Sequence, residues 1–387
     1  MSRSTDPGHF FQTDASESTR ARRAAKSGNK NGNPIVLQSK ILSVIPDPFS
    51  PACVYVAESA GCVRKVNIET RDSKIVYRGP TAPVTSVAVG GQGGSTIFAG
   101  CWDKNIWSWD RETRTLGRTL KGHSDFVKVV ISARLQGTDA SLPMSFSCER
   151  LHTLRDKSDT MMAVQNLALD PVDSTDSELV LVSSSSDPHI RRWRISLSSA
   201  TQIYDSTQDA PTQNKPTRDT ILEHETSVYH ISFFGDEDDV DLWTASADGT
   251  AKCLSRARNW STEDSYQHGD YVRAVAVTDD WVITAGRDED VKVWDRATGK
   301  LWHVYEGHYE EVTGLVILGG EKKAISVSID GTIRTWGLGK ADLEKVRKER
   351  EELSKGVVKE EKVPEKKNLL TAEEESELAE LMDSDDE

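Results

Sequence analysis

Three sets of residues in the chain have the types of a hydrolytic relay: His224 with Thr244 and Asp248, His268 with Thr284 and Asp288, and His308 with Ser326 and Asp330. In such a relay a carboxylate orients an imidazole, which takes a proton from a hydroxyl nucleophile. The spacing argues for a different use. In every set the hydroxyl stands four residues before the Asp, and the pattern returns along the chain, whereas an active site should be singular. Trp294 and Trp336 each follow their Asp by six residues. A His in an entry loop, a hydroxyl on one strand, an Asp in a tight turn and an indole on the next strand form one hydrogen-bonded chain that fixes the turn while the ring is buried. Partial copies place Ser183, Asp187 and Trp193, and then Asp103 and Trp109, at the same spacing. These residues are read as a structural repeat network, and no catalytic residue is assigned.

The elements that must position them are short strands. Gly307-His308 and Trp294-Asp295, with the run VKVWD, resemble the WD-repeat (WD40) family, and that resemblance implies a β-propeller of four-stranded blades. Taking the first apolar residue of each unit as a ruler gives Ile41, Val84, Val127, Val164, Val228, Val272 and Val312, at intervals of 43, 43, 37, 64, 44 and 40 residues. The expected fold is all-β: a seven-bladed WD40 propeller over residues 34–338, closed by an N-terminal strand near residues 34–39 that pairs with the strand ending at Trp336 and removes two open edges. Unit three is degraded or the sequence lacks a segment there, because QGTDASLPMSFSC holds no Asp followed six residues later by Trp. The long fourth interval is assigned to a polar loop insertion over residues 197–218. His123 keeps the repeat's distance to a following Val and is grouped with the repeat histidines.

Composition narrows the class. The formal net charge of -14 argues against nucleic acid as a direct ligand, and 36% hydrophobic residues suggest a core diluted by polar tails. Cys53, Cys62, Cys101, Cys148 and Cys253 include no close-spaced pair, so neither a disulfide framework nor a zinc site is expected, and a reducing compartment is. With no apolar leader and no long apolar run, an intracellular protein of the cytoplasm or nucleus is expected, not bound to a membrane and monomeric by itself but working within a complex. There is no P-loop, dinucleotide fingerprint, HExxH or CxxC, so no cofactor or metal is expected either.

Residues 1–33 are polar, with a cationic stretch TRARRAAKSGNK, and are expected to be disordered. Residues 339–387 form a charged, partly helical acidic tail. In its last part, Thr371 and Glu374 make a capping box before Leu378, Leu381 and Met382, a face that suits folding onto a partner; Ser384 before Asp-Asp-Glu suits an acid-directed kinase.

What remains to carry function is surface. The resemblance implies that partners dock on loops at the narrow end, just before each first strand and just before each turn Asp. The candidates in those positions are Phe126, Tyr271 and Glu311, and then Trp102, Arg287 and Ile329. Trp102 is the sharpest, since its indole fills no repeat position. The expected function is a non-catalytic scaffold or adaptor binding other proteins. The alternative, also taken from the family, is a substrate receptor of a cullin-type ubiquitin ligase; the pairs Trp109-Asp110-Arg111-Glu112 and Trp294-Asp295-Arg296-Ala297 carry its Arg one place early.

Overall fold

The computed structural model describes residues 14–135, 151–155, 162–204, 220–237, 239–320 and 322–341, together with 343, 344 and 348. The chain divides into Met1–Gly339 and Lys340–Glu387. Among the described residues of the first unit a helix, α1 (Asp14–Ser27), is followed by 23 strands. A two-residue strand, β1 (Ile35–Val36), leads into unit one, which is β2 (Ile41–Pro46), β3 (Cys53–Glu58), β4 (Cys62–Asn67) and β5 (Ile75–Arg78). Unit two is β6 (Val84–Gly90), β7 (Thr96–Cys101) and β8 (Ile106–Asp110), with a ragged fourth position made by isolated bridges from Leu116 and Leu120. Unit four is β9 (Val164–Leu169), β10 (Leu179–Ser185), β11 (Arg191–Ile195) and β12 (Ala200–Gln202); unit five is β13 (Val228–Asp236), β14 (Asp239–Ser246), β15 (Thr250–Ser255) and β16 (Ser261–Gln267). Unit six is β17 (Val272–Val277), β18 (Trp281–Gly286), β19 (Asp290–Asp295) and β20 (Leu301–Glu306), and unit seven is β21 (Val312–Leu318), β22 (Lys323–Ser328) and β23 (Thr332–Gly337).

Each unit is an antiparallel meander, and burial follows strand position. The second strand β18 is buried at every residue because sheets cover both its faces, which suits its β-branched and aromatic run. The outer strand β20 is exposed at both ends and alternates between half-buried and buried in the middle. Between sheets the core is apolar: Trp243, Ala245, Cys253 and Tyr266 of unit five pack on Val272, Val275 and Val282 of unit six.

Among the described residues the propeller has six blades, which corrects the expected seven. Among the described residues, 121–135 and 151–155 join no ladder, so none of the described residues of unit three belongs to a sheet. Its first segment nevertheless takes an inner position. Thr85 Oγ1 donates to Val127 O at 2.5 Å, as Thr313 Oγ1 donates to Ile41 O at 2.9 Å one blade on, and Lys128 to Ser132 help to line the axial channel. The ruler therefore found a true inner segment but counted a blade where, among the described residues, no second strand pairs with it. Two further expectations are corrected. Ala200–Gln202, inside the segment assigned to a loop insertion, form the outer strand β12 against β11. Asp14–Ser27, inside the tail expected to be disordered, are helical.

Ring closure uses β1. Ile35 pairs with Ile333 and Val36 with Thr332, and Leu37 N donates to Gly331 O at 2.8 Å, so the first strand of the chain covers the edge of the last blade.

Candidate functional site

The His-hydroxyl-Asp-Trp chains shape the loops at one end. In unit seven the buried His308 reaches Asp330 Oδ2 at 2.9 Å through Nδ1 and Ser326 Oγ at 2.7 Å through Nε2, while Trp336 Nε1 donates to Ser326 Oγ at 2.8 Å. Unit six repeats this with His268, Thr284, Asp288 and Trp294 at 2.8–2.9 Å, with the two ring nitrogens exchanged. In unit five His224 spans Asp248 and Thr244 at 2.8 and 2.7 Å, and Leu254 fills the indole's place. One donor direction satisfies each complete chain: indole N–H to hydroxyl, hydroxyl to imidazole, imidazole N–H to carboxylate. Thr244, Thr284 and Ser326 are fully buried, so no substrate reaches the hydroxyls as nucleophiles.

Electrostatics fit a structural role. Burial pushes His308 below the usual imidazole range and favours its neutral form. Burial raises the Asp288 carboxyl, but the hydrogen bond and charge of His268 and the Lys292 ammonium outweigh it, and the group falls to about 2. Asp330 is held below its ordinary value by His308 and Thr332 against the same desolvation.

The partial copies are wired differently. Ser183 accepts from Trp193 Nε1 at 2.8 Å, but Asp187 pairs with Arg191 at 3.1 Å in place of a His. Asp103 and Trp109 do not meet through a hydroxyl. Asp103 accepts from Trp107 Nε1 at 2.8 Å, and Trp109 Nε1 donates to Arg78 O at 2.9 Å. His123 is exposed.

At this end the sequence candidates come together in pairs. The residue before the turn Asp position donates its backbone N–H to the residue before the inner strand in every blade: Ser59 to Lys40, Trp102 to Pro83, Ser186 to Ala163, Ala247 to Ser227, Arg287 to Tyr271 and Ile329 to Glu311, at 2.9–3.1 Å. The resulting rim is lopsided. Units four and five contribute only Ala and Ser, while units two, six and seven contribute large side chains. Trp102 stacks on Phe126 with centroids 5.3 Å apart and planes 20° apart, both rings being exposed. The Arg287 guanidinium lies 5.0 Å from the centre of the exposed Tyr271 ring. Glu311 pairs with Arg273 at 2.7 Å, and Ile329 lines the mouth of an axial channel of about 860 Å³.

Sequence reasoning missed a second ring. The inner strand of every blade carries a bulge at its second residue, which skips Leu42, Thr85, Gln165, Tyr229, Arg273 and Thr313 in the ladder. A bulge re-aims the skipped side chain, and all six line the channel. Arg273 lies 4.2 Å from the Tyr229 ring centre. The repeated spacing of the inner strands was the signal available for this ring.

Also missed was α1. Arg22 and Lys26 each reach the buried Glu289 carboxylate at 3.1 Å, Arg23 reaches it at 3.5 Å and Glu310 at 3.3 Å. Glu289 holds a left-handed backbone (φ 74°) where units five and seven have Gly249 and Gly331. Residues after the helix run on toward the last blade: Asn29 Nδ2 donates to Gly307 O at 2.7 Å, and Gly32 O accepts from Thr335 N at 2.8 Å. The acidic-tail candidates Leu378, Leu381, Met382 and Ser384 lie outside the described residues.

The family model "WD domain, G-beta repeat" matches residues 71–110, 261–295 and 299–337. An uncharacterized WD repeat-containing protein of Schizosaccharomyces pombe is 30% identical over 350 residues, covering 86% of this chain and 89% of its own. This chain belongs to the WD-repeat family. The nuclear distribution protein nudF of Aspergillus niger is 25% identical over 305 residues, 75% of this chain and 58% of that protein. The solved WD40 β-propeller domain of Doa1 aligns with a TM-score of 0.43 at 15% identity over 78% of this chain and 80% of that one. WD-repeat propellers generally mediate protein–protein interaction, and the rim described above offers the large, exposed side chains of Trp102, Phe126 and Tyr271. Among the described residues no His, Cys, Asp and Glu group could hold a metal ion, and no helix is long and apolar enough to cross a membrane.

Proposed function

We propose that the protein is a non-catalytic scaffold that binds a protein partner across the lopsided rim, with the Trp102–Phe126 stack and the Tyr271–Arg287 pair as anchors. The stacked and exposed Trp102–Phe126 pair carries the reading. Two rings held parallel at the surface have already lost rotamer freedom, and Trp, Tyr and Arg dominate binding hot spots. The small side chains of units four and five leave the partner's body room on the opposite side of the channel mouth. The acidic tail, with Leu378, Leu381, Met382 and the phosphosite Ser384, serves in this reading as a second contact.

The cullin-receptor alternative draws no support from the arginines on which it rests. Arg111 stacks on Phe49 at 4.0 Å, and Arg296 lies 5.1 Å from the Phe234 ring centre, so both are engaged within the propeller. The test is affinity purification of wild type against Trp102→Ala/Phe126→Ala. The variant is expected to lose a defined set of proteins while keeping its melting temperature within a few degrees. An unchanged set refutes the rim as the docking surface.

A further inference from the structure

Beside the rim, under α1, lies a group of carboxylates that the repeat network does not use. Glu289 follows the turn Asp288, Asp290 opens β19, and Glu310 stands one residue before the rim residue Glu311. The Glu289 side chain is 1% exposed, and among the described residues its ion pairs are all with α1: Arg22 and Lys26 at 3.1 Å and Arg23 at 3.5 Å. Arg23 also reaches Glu310 at 3.3 Å, and Lys26 lies 3.8 Å from Asp290. Arg22 and Lys26 are four residues apart and Arg23 and Lys26 three, so one helical face presents all three cations to the three acids.

Two observations separate this contact from ordinary packing. The first is how α1 is held. Ala21, Arg22, Ala24 and Ala25 are exposed, and Arg23 and Lys26 are half-buried, so charge and not apolar burial seats this part of the helix. Ion pairs with one partner open to water are weak and screened by salt, and a helix of 14 residues is marginal by itself. Such a helix leaves readily. The second is the backbone of Glu289, left-handed at φ 74° where Gly249 and Gly331 stand in units five and seven. Glycine makes that turn without strain, whereas here the chain spends strain to place a carboxylate that only cations from another segment satisfy. Asn29 Nδ2 donates to Gly307 O at 2.7 Å and Arg334 Nη1 to Asn29 Oδ1 at 2.8 Å, which anchors the chain just after α1. A helix that lifts away therefore stays tied beside the acids and competes with whatever replaces it.

We infer that Glu289, Asp290 and Glu310 form a docking site for a basic helix of a partner protein, presenting cations at the spacing of Arg22, Arg23 and Lys26, and that α1 fills this site in cis. The partner gains the site by displacing α1, a built-in competitor. The inference does not rest on the Trp102 rim as a docking surface.

The test uses the full chain, with a fluorescently labelled peptide of residues 14–27 as probe and anisotropy as readout. The variant Arg22→Gln/Arg23→Gln/Lys26→Gln frees the site without making α1 acidic. Saturable binding of the peptide to this variant is expected, with affinity lower by at least about tenfold in wild type, where α1 competes, and by at least about tenfold when Glu289→Gln is added to the variant. Glu289→Gly, which suits the turn, gives the same loss without strain, and melting curves of both separate loss of binding from loss of fold. A scrambled peptide of the same composition reports attraction to net charge alone and is expected to bind at least about tenfold more weakly. Trp102→Ala/Phe126→Ala leaves these affinities unchanged, so failure of the rim reading and failure of this one are told apart. No saturable binding to the triple Gln variant, equal affinity in wild type, equal binding of the scrambled peptide, or no effect of either Glu289 substitution overturns the proposal. Sedimentation of wild type as a dimer that the triple Gln variant does not form assigns the site to α1 of a second copy and overturns the partner.

Discussion

Replacing His308 by Ala tests whether the repeat network holds the propeller together. The imidazole makes buried hydrogen bonds of 2.9 Å to Asp330 and 2.7 Å to Ser326, with Thr332 Oγ1 also 3.0 Å from Nδ1, and the residue is fully buried. Removing it leaves the Asp330 carboxylate with its bonds from Thr332 and the Tyr309 N–H but without its imidazole partner, and leaves Ser326 holding only the indole of Trp336. A buried group deprived of its partner costs roughly 1–3 kcal/mol, so two such losses and the cavity give about 2–5 kcal/mol. That is a large part of the roughly 5–15 kcal/mol by which a domain is stable. The site also carries β23, the strand that β1 covers, so the damage falls where the ring is closed. Urea unfolding at pH 7, followed by circular dichroism and indole fluorescence, is the assay, with Asp103→Ala as comparison. Asp103 is only half-buried and bonds one indole of unit two, so its removal is expected to cost about 1 kcal/mol. A loss below 1 kcal/mol for His308→Ala, or equal losses for the two variants, refutes the network as a stabilising device.

Two further outcomes follow from the same geometry. His308 has a folded pKa below its ordinary value, so the unfolded chain takes up a proton near pH 6.5 while the native one does not; stability is complete above about 6.5 and falls as the pH drops below it. Asp288, at about 2, and the lowered Asp330 add stability that is present above about 3.9 and lost as the pH falls further. Melting temperatures between pH 8 and 3 check this, and a flat profile down to pH 4 contradicts it. Replacing Glu289 by Gly separates the turn from the helix: the left-handed backbone is relieved, so the melting temperature should hold or rise, while Arg22, Arg23 and Lys26 lose their shared carboxylate. Trypsin is then expected to cut within α1 several-fold faster than in wild type, and equal rates would show that the helix is held by other contacts.

Much of this molecule could be read from residue spacing. The Asp-to-Trp interval of six is a property of one hairpin, so Asp288 with Trp294 and Asp330 with Trp336 announce their blades locally. The paired rim residues were also accessible, because Tyr271 and Arg287, or Glu311 and Ile329, keep fixed positions relative to those hairpins.

The blade count was not accessible in this way. Val127 has the type and interval of an inner-strand residue and takes that place beside Thr85, yet a blade exists only if further strands pair with it, and strand pairing is decided by partners the interval does not contain. Nor could α1 be found by pattern. Its apolar face is weak, and what orders it is a buried carboxylate more than 260 residues away. The sequence alone determined the repeating hairpin and its hydrogen-bonded turn, since the residues that make them are near neighbours along the chain. Tertiary structure decided how many hairpins became blades, which side chains the bulges turned into the channel, and which acids meet the cations of α1, because each depends on groups that only the closed ring brings within a few ångströms of one another.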